Sequence, residues 1–427
     1  MPGIIFCCIL LLLLCGILSA KEFRAGKPVR LLLPEKIYAA PGIECNIYFD
    51  NIVTVVNPAD YVFEVNCEAG RNDAKRWRFT PAETEAGKEY VWTVRIYDGH
   101  GLAAEGRTVV SVAPELKAKK KLSLLLIGAS QTAAEGYPEH LLELMRKEPK
   151  IDFQMVGTNS GNYRKPVPGG VAHEGYGGWG WNSFFLRLKK EESDANDGLD
   201  PSRPWITWSR FMFRQNGRWK FDFREYCVRY NGGKYPDTIV IMLGINNIFL
   251  CKSDREVDQV WNEHIYPYMK QMAEAFRKAV PEVHIAFSSL TPGASQDAFG
   301  RSYHCRQSRW RWRLNLDRYH RKLFRVVDEL KVGLVPVYAS IDGEHGFPTV
   351  TEPVNQRSSE LCQRQSNALH PSPAGYAQIG DAIYCYLLHC LTAPHRRGQT
   401  AGPIRRTCRY HTRRNPPDAP CTTTRAH

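Results

Sequence analysis

LSLLLIGASQTAAEG, residues 122–136, decides the fold. Its first seven residues form an apolar run broken only by Ser123. That is the pattern of a strand buried on both faces, as in a parallel sheet covered by helices. Gly128, Ala129 and Ser130 then lead the chain toward a helical stretch, PEHLLELMRK at 138–147. A serine at such a junction emerges at the carboxyl edge of the sheet, where open α/β folds form binding crevices. The helix start beneath it offers unpaired N–H groups and a positive dipole end, suited to an oxyanion. The tetrapeptide GASQ returns in LTPGASQDAFG at 290–300, but Ser295 follows Thr-Pro-Gly inside a loop and needs no catalytic role. Ser130 is the candidate nucleophile.

Outward from this stretch, FQMVG (153–157), TIVIMLG (238–244), VHIAFSSL (283–290) and LVPVYA (334–339) read as further strands. Helical patterns at 257–280 and 313–330 lie between them, and a last helix at 373–390 closes the series. Alternating β and α predicts an α/β fold, a parallel sheet between two helical layers, over residues 117–392. Residues 21–116 read differently. VRLLLP, IECNIYF, YVFEVNC, RWRFTP, YVWTVRIYD and RTVVSVAP recur at strand spacing between turn residues, which predicts a small all-β sandwich of six or seven strands. ELKAKKK at 115–121 reads as a solvated, lysine-rich hinge between the two domains.

The ends of the chain carry different signals. MPGIIFCCILLLLLCGILSA, residues 1–20, reads as a secretory signal cut after Ala20, which implies export to the periplasm or outside the cell. An uncleaved anchor is the alternative, since no Lys or Arg precedes the apolar run. No later stretch is apolar and long enough to span a bilayer. The net charge of +13 suggests nucleic acid at first sight, but residues 393–427 alone hold eight Arg and one Asp. The body is therefore only mildly basic, the tail reads as disordered, and no nucleic-acid partner is expected. With 43% hydrophobic residues, wholesale disorder is excluded. The cysteines show no C-x-x-C pairs, so zinc ribbons are not expected. Cys45 and Cys67 either bridge after export or remain free thiols.

Beyond Ser130, three further segments carry chemistry. GASQT at 128–132 lacks the second Gly of the G-x-S-x-G elbow, since Thr132 stands there. HEGYGGWGW (173–181), LGIN (243–246) and NALHPSPAGY (367–376) follow in order. Together the four resemble the blocks of the GDSL, or SGNH, esterase superfamily, over residues 122–390. The resemblance implies a flavodoxin-like SGNH domain and a serine esterase needing neither metal nor organic cofactor. It implies Ser130 as nucleophile and His370 as base. The oxyanion hole would be the N–H groups of Ser130 and Gly178 and the Asn246 side chain. Ala129, Asn247 and Asn367 stand where the family carries Asp. At Asn367 the third catalytic member is changed, and Asp342, Glu344, Glu352 and Glu360 are candidate replacements.

His173, Trp179 and Trp181 are candidates to line the substrate crevice, with packing as the alternative for each. RQSRWRWR at 306–313 reads as the start of an amphipathic helix with a solvated basic face, and Trp77 and Trp92 read as core. The expected substrate is an ester, with O-acyl or O-acetyl groups on a polysaccharide implied by the resemblance. A lipase or arylesterase would carry the same blocks. A non-catalytic glycan-binding protein is the alternative that Asn367 keeps open.

Overall fold

The computed structural model describes residues 29–161, 164–189 and 208–392. The expected secretory signal and the basic tail lie outside the described residues.

Two unlike halves share one continuous apolar core. In the first, β2 (Lys36–Ala39), β9 (Gly101–Val112), β8 (Glu89–Asp98) and β5 (Val62–Asn66) form one sheet in that order. A second sheet consists of β3 (Cys45–Tyr48), β7 (Arg76–Phe79) and β6 (Arg71–Asn72), and β1 (Arg30–Leu31) pairs with β4 (Val53–Thr54). Strands β7 and β8 alternate buried and less buried residues, so each sheet turns one face inward. Trp77 from one sheet and Trp92 from the other meet edge to face at 6.5 Å, both fully buried. Strands β2, β4 and β6 fall outside the six runs read as strands from the sequence.

The second half is a parallel sheet ordered β11 (Ile151–Val156), β10 (Lys120–Gly128), β15 (Thr238–Met242), β16 (His284–Ser288) and β17 (Gly333–Val335). The short β12 (Glu174–Gly175) pairs with the last two residues of β10. Leu124, Leu125, Leu126 and Ile127 are all buried, as the apolar run requires. The first strand of this sheet lies between the second and the third, the flavodoxin-like order. The crevice therefore falls outside the carboxyl ends of β10 and β15, where the winding direction changes. Two antiparallel hairpins are added, β13 (Met212–Gln215) with β14 (Arg218–Phe221), and β18 (Thr349–Pro353) with β19 (Leu361–Gln365).

Four local expectations are corrected. LVPVYA is a strand only to Val335, because Pro336 has no N–H to continue a ladder, and Val337–Ser340 turns into helix. The pattern at 257–280 is two helices, Asp254–Val260 and Tyr266–Ala279, joined through a wide turn at Trp261–Ile265 beside Pro267. The 115–121 segment is not a free hinge. Leu116 is buried, Glu115 pairs with Lys150, and Lys120 already begins β10.

The fourth concerns the helix Arg309–Leu330, whose basic residues are not all solvated. Arg313 donates to the carbonyls of Asp50 and Val53, and Arg321 to that of Leu31. Buried Asp317 takes Arg30, Arg321 and the Thr54 hydroxyl. Tyr338 donates to the Leu32 carbonyl, so charge and hydrogen bonds fasten the β half onto the α/β half. Among the described residues no helix is long and apolar enough to cross a membrane. Cys45 and Cys67 are free thiols, and burial pushes Cys45 up to about 12.

Candidate active site

At the carboxyl end of β10 the chain passes through Ala129 into a single helical turn, Ser130–Ala133. Gly128 is required there, since a Cβ would sit 1.8 Å from the Thr132 hydroxyl oxygen. Thr132, fully buried, bonds the Tyr137 hydroxyl at 2.7 Å. The serine is thus presented by a turn packed from beneath, without the second glycine of an α/β-hydrolase elbow.

His370 arrives from the loop between β19 and the helix Pro373–Thr392. Its Nε2 lies 2.7 Å from Ser130 Oγ. Burial lowers the imidazole pKa from its ordinary value, so the ring is neutral and able to accept a proton at neutral pH. Ser130 and His370 line a cavity of about 230 Å³ with Gly178, Asn246, Gln131, Ile245, Tyr303 and Leu369. Gly178 has φ +75°, the left-handed region where a side chain would be strained. Asn246 is the second residue of the turn Ile245–Ile248 after β15, and its amide donates 2.8 Å to the Trp179 carbonyl. One hydrogen of that amide is thereby used and the other remains for the cavity. The expected nucleophile, the expected base and two of the expected oxyanion donors are brought to one place.

The other candidates are not. Trp179 and Trp181 are buried, at 1% and 0% exposure, and do not line the cavity. Trp179 stacks on Tyr176 at 4.2 Å, while Trp181 donates from its indole to the Leu243 carbonyl. Gly180, the one residue between them, packs closely on Asn247, where a Cβ would sit 2.4 Å from Oδ1. His173 is buried as well, set between Glu135 at 3.2 Å and the N–H of Gly175, which its Nδ1 accepts. Its neighbour Glu174 is a fully buried carboxylate that accepts from the Thr158 N–H and from the hydroxyls of Tyr176 and Tyr226. All of these hold the glycine-rich loop from behind. Asn247 does so from the side, accepting from the Trp181 N–H and donating to Asn182.

Asn367 makes no hydrogen bond to the imidazole ring of His370. Its Oδ1 accepts the N–H groups of Leu369 (3.1 Å) and His370 (2.9 Å), which shapes the loop. None of the four replacement candidates bonds to His370. Asp342 accepts from the N–H groups of Glu344 and His345 and from Tyr48. Glu344 pairs with Lys75, Glu352 pairs with Arg301 and Arg364, and Glu360 is exposed. Among the described residues no carboxylate bonds to His370, whose ring contact is with Ser130. Ser295 stands at the start of the helix Gln296–Tyr303, outside the cavity and with no side-chain capping bond, its N–H taken by Gln365. Gln131, Ile245, Tyr303 and Leu369 were not anticipated as lining residues. Gln131, Ile245 and Leu369 each had a signal, as neighbours of Ser130, Asn246 and His370 in the segments read above, whereas Tyr303 had none.

No family model matches the sequence, and no curated protein matches it. Similar solved structures include a family 3 carbohydrate esterase from Clostridium thermocellum. It has 14% identity and a TM-score of 0.35, over 64% of this chain and 100% of that chain. A possible lipase from Chitinophaga pinensis has 12% identity and a TM-score of 0.34, over 63% and 98%. A phospholipase A1 from Streptomyces albidoflavus has 8% identity and a TM-score of 0.34, over 61% and 98%. A likeness this distant carries no function; the side chains around Ser130 must supply it.

Proposed function

We propose that this chain is a serine esterase that hydrolyses carboxylic esters through an acyl-enzyme on Ser130. The observation that carries the reading is the 2.7 Å contact of His370 Nε2 with Ser130 Oγ, in a cavity that also presents Gly178 and Asn246. Ser130 Oγ attacks the ester carbonyl as its proton passes to His370 Nε2. The oxyanion is held by the N–H groups of Ser130 and Gly178 and by the free hydrogen of the Asn246 amide. Collapse breaks the bond to the alcohol, which leaves with the proton from His370. Water then gives a proton to His370 and attacks the acyl carbon. The acid departs and Ser130 recovers its proton.

A cavity of about 230 Å³ suits a short acyl group, with the alcohol part outside it. Small-molecule pockets generally run roughly 300–1,000 Å³. We therefore read the substrate as a short O-acyl ester, acetyl first, on a polysaccharide met after export. The buried Trp179 and Trp181 give that sugar no stacking platform, so the choice of polysaccharide rests on the acyl size and the secretory signal alone.

Aryl esters of two to eight acyl carbons and an acetylated polysaccharide are the test, with the wild type beside Ser130→Ala. Turnover that falls as the acyl chain lengthens and vanishes with Ser130 is expected. Preference for the longest chain would favour a lipase. The missing carboxylate at His370 favours a second reading, a glycan-binding protein, and polysaccharide binding without turnover would establish it.

A further inference from the structure

We infer that Gln131 is a positioning residue for the Ser130–His370 pair, standing in for the orientation that a carboxylate would give His370. This rests on the esterase reading for its kinetic consequence but on geometry for its substance. Gln131 follows the nucleophile directly and is 2% exposed. Its Nε2 donates 2.7 Å to the Leu369 carbonyl and 2.8 Å to the Thr291 hydroxyl. The Leu369 carbonyl belongs to the peptide that joins Leu369 to His370. The N–H of that same peptide, and the one before it, are held by Asn367 Oδ1.

The peptide leading into His370 is therefore gripped on both its polar groups. Asn367 holds it from its own loop, and Gln131 ties it to the turn that carries Ser130. The Ser130–His370 contact closes the ring: Ser130, Gln131, the Leu369 carbonyl, His370 and back. No chain of bonds this short links nucleophile and base through a carboxylate among the described residues.

A second observation points the same way. Gln131 Oε1 is buried with no hydrogen-bond partner. A buried acceptor without a donor is unfavourable, and an apolar residue of similar shape would avoid it. Positions that break such a rule are expected where function demands it. The amide orients the imidazole but supplies no charge to its protonated form. It thus replaces half of what an Asp does, and the pair works with a neutral framework.

The test uses the full chain and the variants Gln131→Met, close to isosteric without donors, and Thr291→Val, which removes only the second acceptor. Short-ester kinetics, thermal unfolding and the ring ¹⁵N shifts of His370 are read together, with His370 assigned by its loss in His370→Asn. For Gln131→Met, kcat is expected to fall about 100-fold, the order expected for a misplacement near 1 Å, with KM within about threefold. Thr291→Val should lose less than about a tenth of that factor at a similar loss of Tm. In the wild type, Nε2 accepts from Ser130, so the ring should hold its proton on Nδ1. Gln131→Met should mix the two tautomers. An unchanged kcat and an unchanged tautomer in Gln131→Met, with Tm alone lowered, would overturn the inference. If the wild type turned over no ester while the tautomer still responded to Gln131→Met, the esterase reading would fail and the positioning role would stand.

Discussion

Asn246 separates a catalytic donor from a loop clamp, because its amide does two things at once. One hydrogen reaches the Trp179 carbonyl at 2.8 Å and so steadies the residue next to Gly178. The other is left for the cavity that Asn246 lines. In Asn246→Ala both are lost, and their costs appear in different measurements. Losing a neutral hydrogen bond from a part-buried carbonyl costs about 1 kcal/mol of stability. Losing one oxyanion donor lowers kcat by about 100- to 1,000-fold, or about 2.7–4 kcal/mol of transition-state stabilisation. KM should change little, because the ground-state carbonyl gains less from that donor than the oxyanion does. Steady-state hydrolysis of an aryl acetate, with urea unfolding of the same preparations, gives both numbers. A kcat within about threefold of wild type, beside the expected loss of stability, would refute the oxyanion role and leave Asn246 as a clamp.

Asn367→Asp should keep the loop bonds, since either side-chain oxygen can accept the N–H groups of Leu369 and His370. The added charge favours the imidazolium, so kcat should rise, by up to about 10⁴-fold on the serine-protease precedent. The acid limb of kcat/KM, which burial of His370 places below pH 6.5 in the wild type, should move to higher pH; an unmoved limb would count against this. His320 is buried and accepts the Leu290 N–H, and burial lowers it to about 3. The unfolded chain takes that proton near 6.5 and the folded one does not, so stability should fall as pH drops from 6.5 toward 3. The slope reaches about 1.4 kcal/mol per pH unit, and urea unfolding should show it lost in His320→Gln. Trp179→Ala should cost about 3–5 kcal/mol of stability as a buried-aromatic truncation. A stable variant with weakened polysaccharide binding would return Trp179 to the substrate surface.

The parts of the site that were legible are those whose meaning is local. The apolar run ending at Gly128 fixes a buried strand, and the next residues fix where a serine must emerge. The last block places His370 just before Pro371 and a long helix. What escaped depends on contacts across the chain. An aromatic ring in a glycine-rich loop can turn either way, so HEGYGGWGW did not reveal that Trp179 and Trp181 pack inward on Tyr176 and beneath Leu243. The hairpin at 349–365 alternates between exposed and half-buried residues and so offers little apolar period to read. Tyr303 reaches the cavity from a separate helix with no motif around it. The partner of Gln131 lies 238 positions away, at Leu369. The basic start of the helix at 309 looked solvated because the carbonyls that Arg313 meets, at Asp50 and Val53, belong to the other half of the molecule.

In the proposed mechanism Ser130, and not Ser295, is the nucleophile activated by His370. The most direct measurement is peptide mass spectrometry after exposure to a fluorophosphonate, which bonds covalently to activated serines. A single adduct is expected on the peptide carrying Ser130, unaffected by Ser295→Ala and lost in His370→Ala. An adduct on Ser295, or labelling of Ser130 that persists without His370, would contradict it.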